Sequence, residues 1–422
     1  ICAHHCMDKC TRNFYETPVQ IRATKLVAAE RGYDKVMARL KTPTPVYDGK
    51  KVAIIGGGPT GMAAAYFCGR AGIPTTLFER EGALGGIVRY VIPDFRISNE
   101  AIEKDAALMQ KMGVEVKLNT PAPSVEELKA KGYTHILFAI GAWKPGKLDI
   151  PGNVKPVIQW MRDVKAGKAE ELGHAAIIGG GNTAMDAARL ALRAGAKSST
   201  LVYRRTKKYM PADAEELELA MADGVQFLEL VSPVEQKDGK LLCRKMVLGE
   251  PDASGRRSPV ETDETVSIDC DTVISAVGEK VDSDMLAAYG VSVNDRGRPS
   301  FATNLSGVYT AGDALRGPAT VVEGIADAAA FAEAVIGRPY EVKIPHVAHA
   351  PRAEAVARKG ILCESAKREG DRCLSCNVVC ECCVDVCPNR ANVSIQLPDG
   401  RFQILHVDRM CNECGNCAAF CP

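Results

Sequence analysis

The chain of 422 residues has no surplus of charge: 53 Lys+Arg stand against 52 Asp+Glu, and no block of like charge stands out. Nothing in it therefore asks for nucleic acid or an anionic membrane. It also lacks an apolar run long enough to span a bilayer, and it lacks a secretory leader, so a soluble protein is expected. Histidine is scarce, and the seven present show neither metal-binding nor catalytic spacing. No Ser/His/Asp set and no paired carboxylates claim a catalytic role, which removes the hydrolases built on them. Cysteine is nearly missing from the long middle, where only Cys68, Cys243 and Cys270 occur, and these read as small apolar core residues.

The remaining cysteines crowd the two ends. Three lie within the first ten residues and eleven between Cys363 and Cys421, out of 17 in all. A secreted disulfide scaffold would be short and would spread its cysteines as staples. Clusters flanking an enzyme-sized body imply metal sites and a reducing cytosol, so a cytoplasmic protein is expected. The length suggests about three domains. The chain begins at Ile1 and stops at Pro422, one residue after a motif cysteine, and is expected to be part of a longer polypeptide.

Between the ends, one pattern occurs twice. A buried-strand pattern at 51–55 leads into Gly56-Gly57-Gly58-Pro59-Thr60-Gly61, then an apolar helix over 62–71 and a second strand over 75–79. This is G-x-G-x-x-G between strand and helix. Gly56 permits the tight turn, Gly58 lets a pyrophosphate approach the backbone, and Gly61 lets the helix pack closely on the strand. The phosphates meet a helix N-terminus, whose free N–H groups and dipole favour negative charge. Glu79 ends the second strand, placed to accept ribose hydroxyls, as in FAD.

The second copy follows about 120 residues later: a strand over 175–178, then Gly179-Gly180-Gly181-Asn182-Thr183-Ala184, a helix over 185–194 and a strand over 200–203. Here the second strand ends in Arg204-Arg205. Arginine can pair with a 2′-phosphate that an acid would repel, so NADPH is favoured over NADH, the alternative being solvated arginines. One loop suits FAD and the other NADP. The fold class expected is α/β with two Rossmann-like domains. Strands are also expected at 136–141, ending in Gly141, at 225–231, 241–247 and 307–313, and at 272–278, ending in Gly278; a helix is expected over 319–336.

With Gly85-Gly86, Tyr90-Val91-Ile92-Pro93-Asp94-Phe95-Arg96, Met210-Pro211-Ala212, Leu248-Gly249-Glu250-Pro251-Asp252 and Thr310-Ala311-Gly312-Asp313, residues 1 to 340 resemble the glutamate synthase small-subunit family. That family includes the reductase half of dihydropyrimidine dehydrogenase. The tail, with Cys387-Pro388-Asn389-Arg390-Ala391-Asn392, is similar to that of large iron–sulfur flavoproteins of the selenate reductase type. The resemblance implies an FAD domain (46–160 and 281–340) interrupted by an NADPH domain (161–280). Residues 1–45 would end a helical iron–sulfur domain, and 341–422 would form a linker and a ferredoxin-like domain. Asp313 would bind the FAD ribityl chain, with the helix from Ala319 pointing its N-terminus at the flavin. Gly86, Arg96, Gly141, Gly278, Gly312 and Thr320 join the expected cofactor-binding residues.

Cys411-x2-Cys414-x2-Cys417-x3-Cys421-Pro422 is a complete bacterial ferredoxin run. Three thiolates wrap one 4Fe–4S cluster, and the cysteine before proline ligates a second. Cys387 would then complete the cluster of Cys411, Cys414 and Cys417. Cys421 would complete the other, with Cys373, Cys376 and Cys383 or with Cys376, Cys380 and Cys383. Zinc would leave Cys383, Cys387, Cys417 and Cys421 without purpose. Cys2, Cys6 and Cys10 would need ligands from upstream. A disulfide reductase needs a cysteine pair beside the flavin, but Ile87-Val88 follows Gly85-Gly86, and a flavin monooxygenase needs no ferredoxin tail. The expected function is electron transfer from NADPH through FAD to 4Fe–4S clusters and a partner subunit or domain. Reverse flow to NADP⁺ and a non-catalytic scaffold are the competing readings.

Overall fold

The computed structural model describes residues 2, 5–8, 10–14, 17–46, 48–168, 170–252, 255–339, 369, 382–398 and 402–419. Its contacts divide the chain into two compact units: residues 41–340, and residues 2–40 together with 341–422.

In the first unit, strands β1 (Val52–Ile55), β2 (Thr75–Phe78), β3 (Glu115–Lys117) and β4 (His135–Phe138) build a sheet. Strands β5 (Lys144–Pro145), β6 (Val154–Pro156), β7 (His174–Ile178), β8 (Ser198–Tyr203) and β9 (Gln226–Glu229) follow. Then come β10 (Val231–Lys237), β11 (Lys240–Pro251), β12 (Arg257–Asp269), β13 (Thr272–Ser275), β14 (Glu279–Lys280) and β15 (Val308–Thr310). The first sheet is parallel, in the order β15-β4-β1-β2-β3, with Ile54 beside both Leu77 and Leu137. The second is also parallel, in the order β6-β13-β7-β8-β9, with Ile177 beside Leu201 and Ile274. Runs such as Val-Ala-Ile-Ile at β1 and Thr-Val-Ile-Ser at β13 are buried along their whole length. That is the signature of parallel strands covered on both faces.

The antiparallel sheet β10-β11-β12 packs Val231, Leu241 and Cys243 against Ala176, Val202 and Val273 of the second sheet. On the second sheet's other face, helices Val157–Lys165 and Asn182–Arg193 bury Trp160, Met161, Met185 and Leu190. The helix Val321–Ile336 lies close to Pro59–Arg70, where Gly324 faces the Thr60 hydroxyl.

The structure departs from the sequence expectations at several places; the strands expected over 136–141 and 272–278 end at Phe138 and Ser275. The strand expected over 225–231 breaks at Leu230, whose φ of 57° turns the chain from one sheet into another. Strand β12 was not foreseen because Glu-Thr-Asp-Glu-Thr at 261–265 shows no apolar alternation. The strand expected over 307–313 shortens to β15, since Gly312 (φ 65°) turns the chain into the helical turn Asp313–Arg316. The following helix starts at Val321 because Thr320 and Glu323 form a reciprocal capping box there. In addition, β6 pairs with β13 and precedes the helix Val157–Lys165, so the second sheet recruits chain from before residue 161.

The second unit carries a helical turn His5–Asp8, a helix Ile21–Arg39, and a hairpin of β16 (Asn392–Gln396) and β17 (Phe402–His406). Helical turns Cys382–Asp385 and Asn416–Ala419 flank that hairpin in sequence. Within this unit Gln20 N donates to Glu369 Oε1 at 2.9 Å. Among the described residues no helix is long and apolar enough to cross a membrane.

Candidate functional site

The parallel strands β1, β4 and β15 end along one edge of the first sheet, where Ala139 N donates to Ile55 O and Ala311 N to Phe138 O. Ligands of open α/β sheets bind outside such carboxyl ends. Gly56 leaves β1 there, and Gly61 brings the helix Pro59–Arg70 so close that a Cβ would strike the Gly56 carbonyl. Gly58 caps the helix without a side chain, with Pro59 at its first position. The leading N–H groups are thus uncovered, as an anion requires.

Glu79 is 6% exposed and turns its carboxylate into the loop: Oε2 accepts from Gly57 N at 2.6 Å and Oε1 from Glu81 N at 2.8 Å. Gly86 closes the loop from outside at φ 52°, where a Cβ would lie 2.8 Å from Gly58 Cα. Gly141 follows β4 and faces Trp143. Gly312 donates its N–H to Asp327 Oδ2 at 3.0 Å, and Arg316 pairs with the same carboxylate. Asp313 Oδ1 accepts from Ala319 N at 3.1 Å, and burial, with Glu323 and Asp327 nearby, pushes its carboxyl up to about 6. Thr320 is occupied as the helix cap. Gly56, Gly58, Gly61, Glu79 and Gly86 therefore come together around one loop.

Sequence reasoning missed a cavity of about 260 Å³ one residue beyond Glu79, lined by Arg80, Trp143, Pro145, Ile158, Gln159 and Arg162. Arg80 stacks over Trp143 at 5.7 Å, and Arg162 reaches Glu81 at 2.9 Å. The available signal was Arg80, which adjoins the acid that ends the strand.

The second loop repeats the geometry with other neighbours. A Cβ on Gly179 would strike the Ala276 carbonyl, and one on Gly180 would enter the Tyr203 ring, 2.7 Å from Cδ2. Gly181 caps the helix Asn182–Arg193 and faces open space, a cradle that a side chain would fill. Asn182 Oδ1 accepts from Asp213 N at 3.1 Å, tying the loop to the segment after Met210-Pro211-Ala212. Thr183 follows in the first turn and Ala184 is buried beneath it. At the end of β8, Arg204 is exposed with no partner among the described residues, whereas Arg205 donates Nε to Arg257 O at 3.3 Å. Gly278, past the end of β13, accepts from Gly146 N at 2.6 Å.

Arg96, expected among the cofactor-binding residues, reaches acids on the second sheet's helices. Its Nη1 donates to Glu216 Oε1 at 2.5 Å and its Nε lies 2.7 Å from Asp186 Oδ1, both carboxylates being buried. Two acids on the second sheet's helices thus hold the guanidinium. Burial pushes Asp186 up to about 6, against the pull of Arg96.

Of the cysteines, Cys373, Cys376, Cys380 and Cys421 lie outside the described residues. Cys387 Sγ accepts from Ala391 N at 3.1 Å, and backbone N–H groups of Asn392 and Ala391 hold its thiol below the usual range. Cys411 Sγ accepts from Glu413 N at 3.3 Å. Backbone N–H groups aimed at sulfur suit ligating thiolates. Cys383 and Cys417 are half-buried and Cys414 is exposed. Cys10 is buried and accepts from Val19 N at 3.5 Å, Cys6 is exposed, and Cys2 meets Lys25 Nζ at 3.8 Å. Among the described residues no three His, Cys, Asp or Glu side chains gather as a metal-holding group. Cys243 and Cys270 are buried, and burial pushes their thiols up to about 12 and 11, which makes them inert.

Residues 50–328 match the family model described as pyridine nucleotide-disulphide oxidoreductase. Over its whole length the chain is 43% identical to 43% of the Escherichia coli (strain K12) protein named "Putative oxidoreductase YgfK". It is 35% identical, over 78% of itself and 55% of the relative, to the NADPH-Fe(3+) oxidoreductase subunit beta of Geobacter sulfurreducens. The chain thus spans about half the length of these relatives or less. With the Escherichia coli (strain K12) NADPH glutamate synthase small chain it shares 31% identity over 68% of each chain. Among solved structures, an FprA variant from Mycobacterium tuberculosis superposes with a TM-score of 0.60 at 20% identity, over 68% of this chain and 84% of that one. Lactococcus lactis thioredoxin reductase gives 0.52 at 21% identity, over 68% and 98%. These two likenesses speak for the fold alone. The chain belongs to the pyridine nucleotide-disulphide oxidoreductase family, and within it to the glutamate synthase small-chain group of FAD-dependent NAD(P)H oxidoreductases.

Proposed function

We propose that this chain takes electrons from NADPH, passes them through FAD to 4Fe–4S clusters, and delivers them to a partner subunit or domain. The observation that carries the reading is the contrast between the two strand ends: a buried carboxylate, Glu79, at one glycine loop, and at the other an exposed guanidinium, Arg204, with no partner among the described residues. The first suits the ribose of FAD and the second the 2′-phosphate of NADPH.

FAD, when bound, supplies the step from a two-electron hydride to single electrons. The chain's own part is to hold and orient. Gly56 to Gly61 present backbone N–H groups to the pyrophosphate, and Glu79 accepts from the ribose. The cavity beside Arg80 and Trp143 takes the flat base beyond it, and Asp313 holds the ribityl chain. Gly179 to Ala184 cradle the second dinucleotide, with Arg204 on its phosphate. The FAD domain is interrupted by the NADPH domain, as the re-entry of β15 into the first sheet supports. No side chain acts as acid or base in the hydride step.

Cys387, Cys411, Cys414 and Cys417 would hold one cluster in a C-terminal ferredoxin-like domain, the sulfurs of Cys387 and Cys411 accepting backbone N–H groups as ligating thiolates do. Cys421, Cys383 and Cys376, with Cys373 or Cys380, would hold the second. Cys2, Cys6 and Cys10 would contribute to a further one. Two relatives are named as beta subunits, of an NADPH-Fe(3+) oxidoreductase and of a Moorella thermoacetica NADP(+)-dependent formate dehydrogenase, which supports a partner subunit. The second name also favours a second reading, in which electrons run the other way, to NADP⁺.

The test is an anaerobic NADPH titration followed by low-temperature EPR, with NADH alongside. Bleached flavin with fast-relaxing cluster signals is expected, NADPH outperforming NADH. Flavin that bleaches while the clusters stay silent would sink onward transfer, and a preference for NADH would sink the role of Arg204.

A further inference from the structure

One motif of the sequence stays unused by this reading: the segment from Gly86 to Arg96. It begins on the first glycine loop, with Gly86 against Gly58, and ends on the second sheet's helices. Val91 is buried in the core of the second sheet. Lys165 holds the Ile92 carbonyl at 2.7 Å and the Asp94 carboxylate at 2.8 Å. Arg189 and Arg193 stack on Phe95 at 4.7 and 4.4 Å. Arg96 then reaches Asp186 and Glu216, on two different helices, and Asp186 lies only two residues beyond Ala184 of the second loop.

We propose that Arg96 is a positioning residue: through Asp186 and Glu216 it locks the strap between the two dinucleotide loops and thereby sets the nicotinamide against the flavin. The inference rests on the NADPH-to-FAD reading and deepens it. Asp186 and Glu216 are 6% exposed each, so their charges need a fixed cation nearby. Arg189 also faces Glu216, at 3.9 Å, but it belongs to the same sheet's helices and cannot bridge the two sheets. Arg96 is the bridge because its chain segment starts on the other loop. Hydride transfer depends steeply on separation, and a misplacement near 1 Å costs on the order of a hundredfold. Binding of each dinucleotide by its own loop does not depend on that separation.

The experiment uses the full chain, reconstituted and anaerobic, and follows flavin bleaching by stopped flow at increasing NADPH. Arg96→Met is expected to retain FAD and an NADPH Kd within about threefold. It should lose at least roughly tenfold in bleaching rate at saturating NADPH, together with the long-wavelength charge-transfer band that needs stacked rings. Arg96→Lys, which keeps the charge but not the fork, should recover part of the rate. Asp186→Asn and Glu216→Gln, which keep shape, should slow bleaching in the same sense, each by less when combined with Arg96→Met. Variants that bleach at the wild-type rate would overturn the proposal. So would an Arg96→Met chain that folds but loses FAD, since Arg96 would then be a direct flavin ligand. Wild-type flavin that NADPH leaves oxidised would overturn the NADPH-to-FAD reading itself, and the positioning role with it.

Discussion

Replacing Gly86 by alanine tests the first glycine loop where a second backbone segment crosses it. Gly86 sits at φ 52° and ψ −134°, a combination open in practice to glycine alone, so an alanine is strained there by about 1–3 kcal/mol. Its Cβ would also lie 2.8 Å from Gly58 Cα, a backbone atom that has no rotamer to give. Ordinary contact begins near 3.4 Å, so the two segments must part by about 0.6 Å (3.4 − 2.8). Overpacking of this kind costs about 1–3 kcal/mol more. The sum is about 2–6 kcal/mol, partly recovered by moving the loop proposed to hold the pyrophosphate. We expect FAD binding weakened at least about tenfold, since each 1.4 kcal/mol is a factor of ten. Gly132→Ala is the control: it shares a positive φ, 81°, but nothing lies within 4 Å of its Cβ. The assay is the ratio of bound FAD to protein after dialysis, with the thermal midpoint of each variant. Gly86→Ala holding full FAD, with a midpoint equal to that of Gly132→Ala, would refute the close-approach argument.

Arg204→Ala should lower kcat/KM for NADPH by roughly 10- to 100-fold, the worth of a charged hydrogen bond to phosphate, and leave NADH nearly unchanged. Arg205→Ala should do much less, because Arg205 already serves the Arg257 carbonyl; the reverse ranking in steady-state kinetics would contradict the assignment. Asp186 faces Arg96 from the strap, Glu216 from the next helix and Arg189 from its own, and its folded pKa of about 6 exceeds the ordinary 3.8. The folded chain therefore binds this proton first, and the site's contribution to stability grows as pH falls from 6 to 3.8. Asp186→Asn should accordingly gain thermal stability relative to wild type as pH rises through that window, and an opposite trend would refute the sign. Finally, Cys411→Ser combined with Cys414→Ser should remove about four irons per chain in iron and sulfide analysis. Iron content equal to wild type would exclude both as ligands.

Much of this was legible from the residues. Buried parallel strands write themselves as unbroken apolar runs, and glycine loops are dictated by backbone geometry, so β1, β2, β7, β8 and both loops fell within a few residues of their reading. Strand β12 was not legible because an exposed edge strand carries no core-facing pattern, and the break at Leu230 depends on which sheet claims each half.

The two glycine loops, the acid and the arginine pair that end their second strands, and the ferredoxin spacing were determined by sequence alone, because each is a local motif. What only the tertiary structure decided is which of two adjacent arginines has a partner among the described residues and which groups Arg96 reaches. Both depend on partners 52 to 120 residues away in the chain, at Arg257, Asp186 and Glu216. A guanidinium is indifferent to sequence distance and goes to whichever carbonyl or buried carboxylate the packing of the two sheets brings within reach.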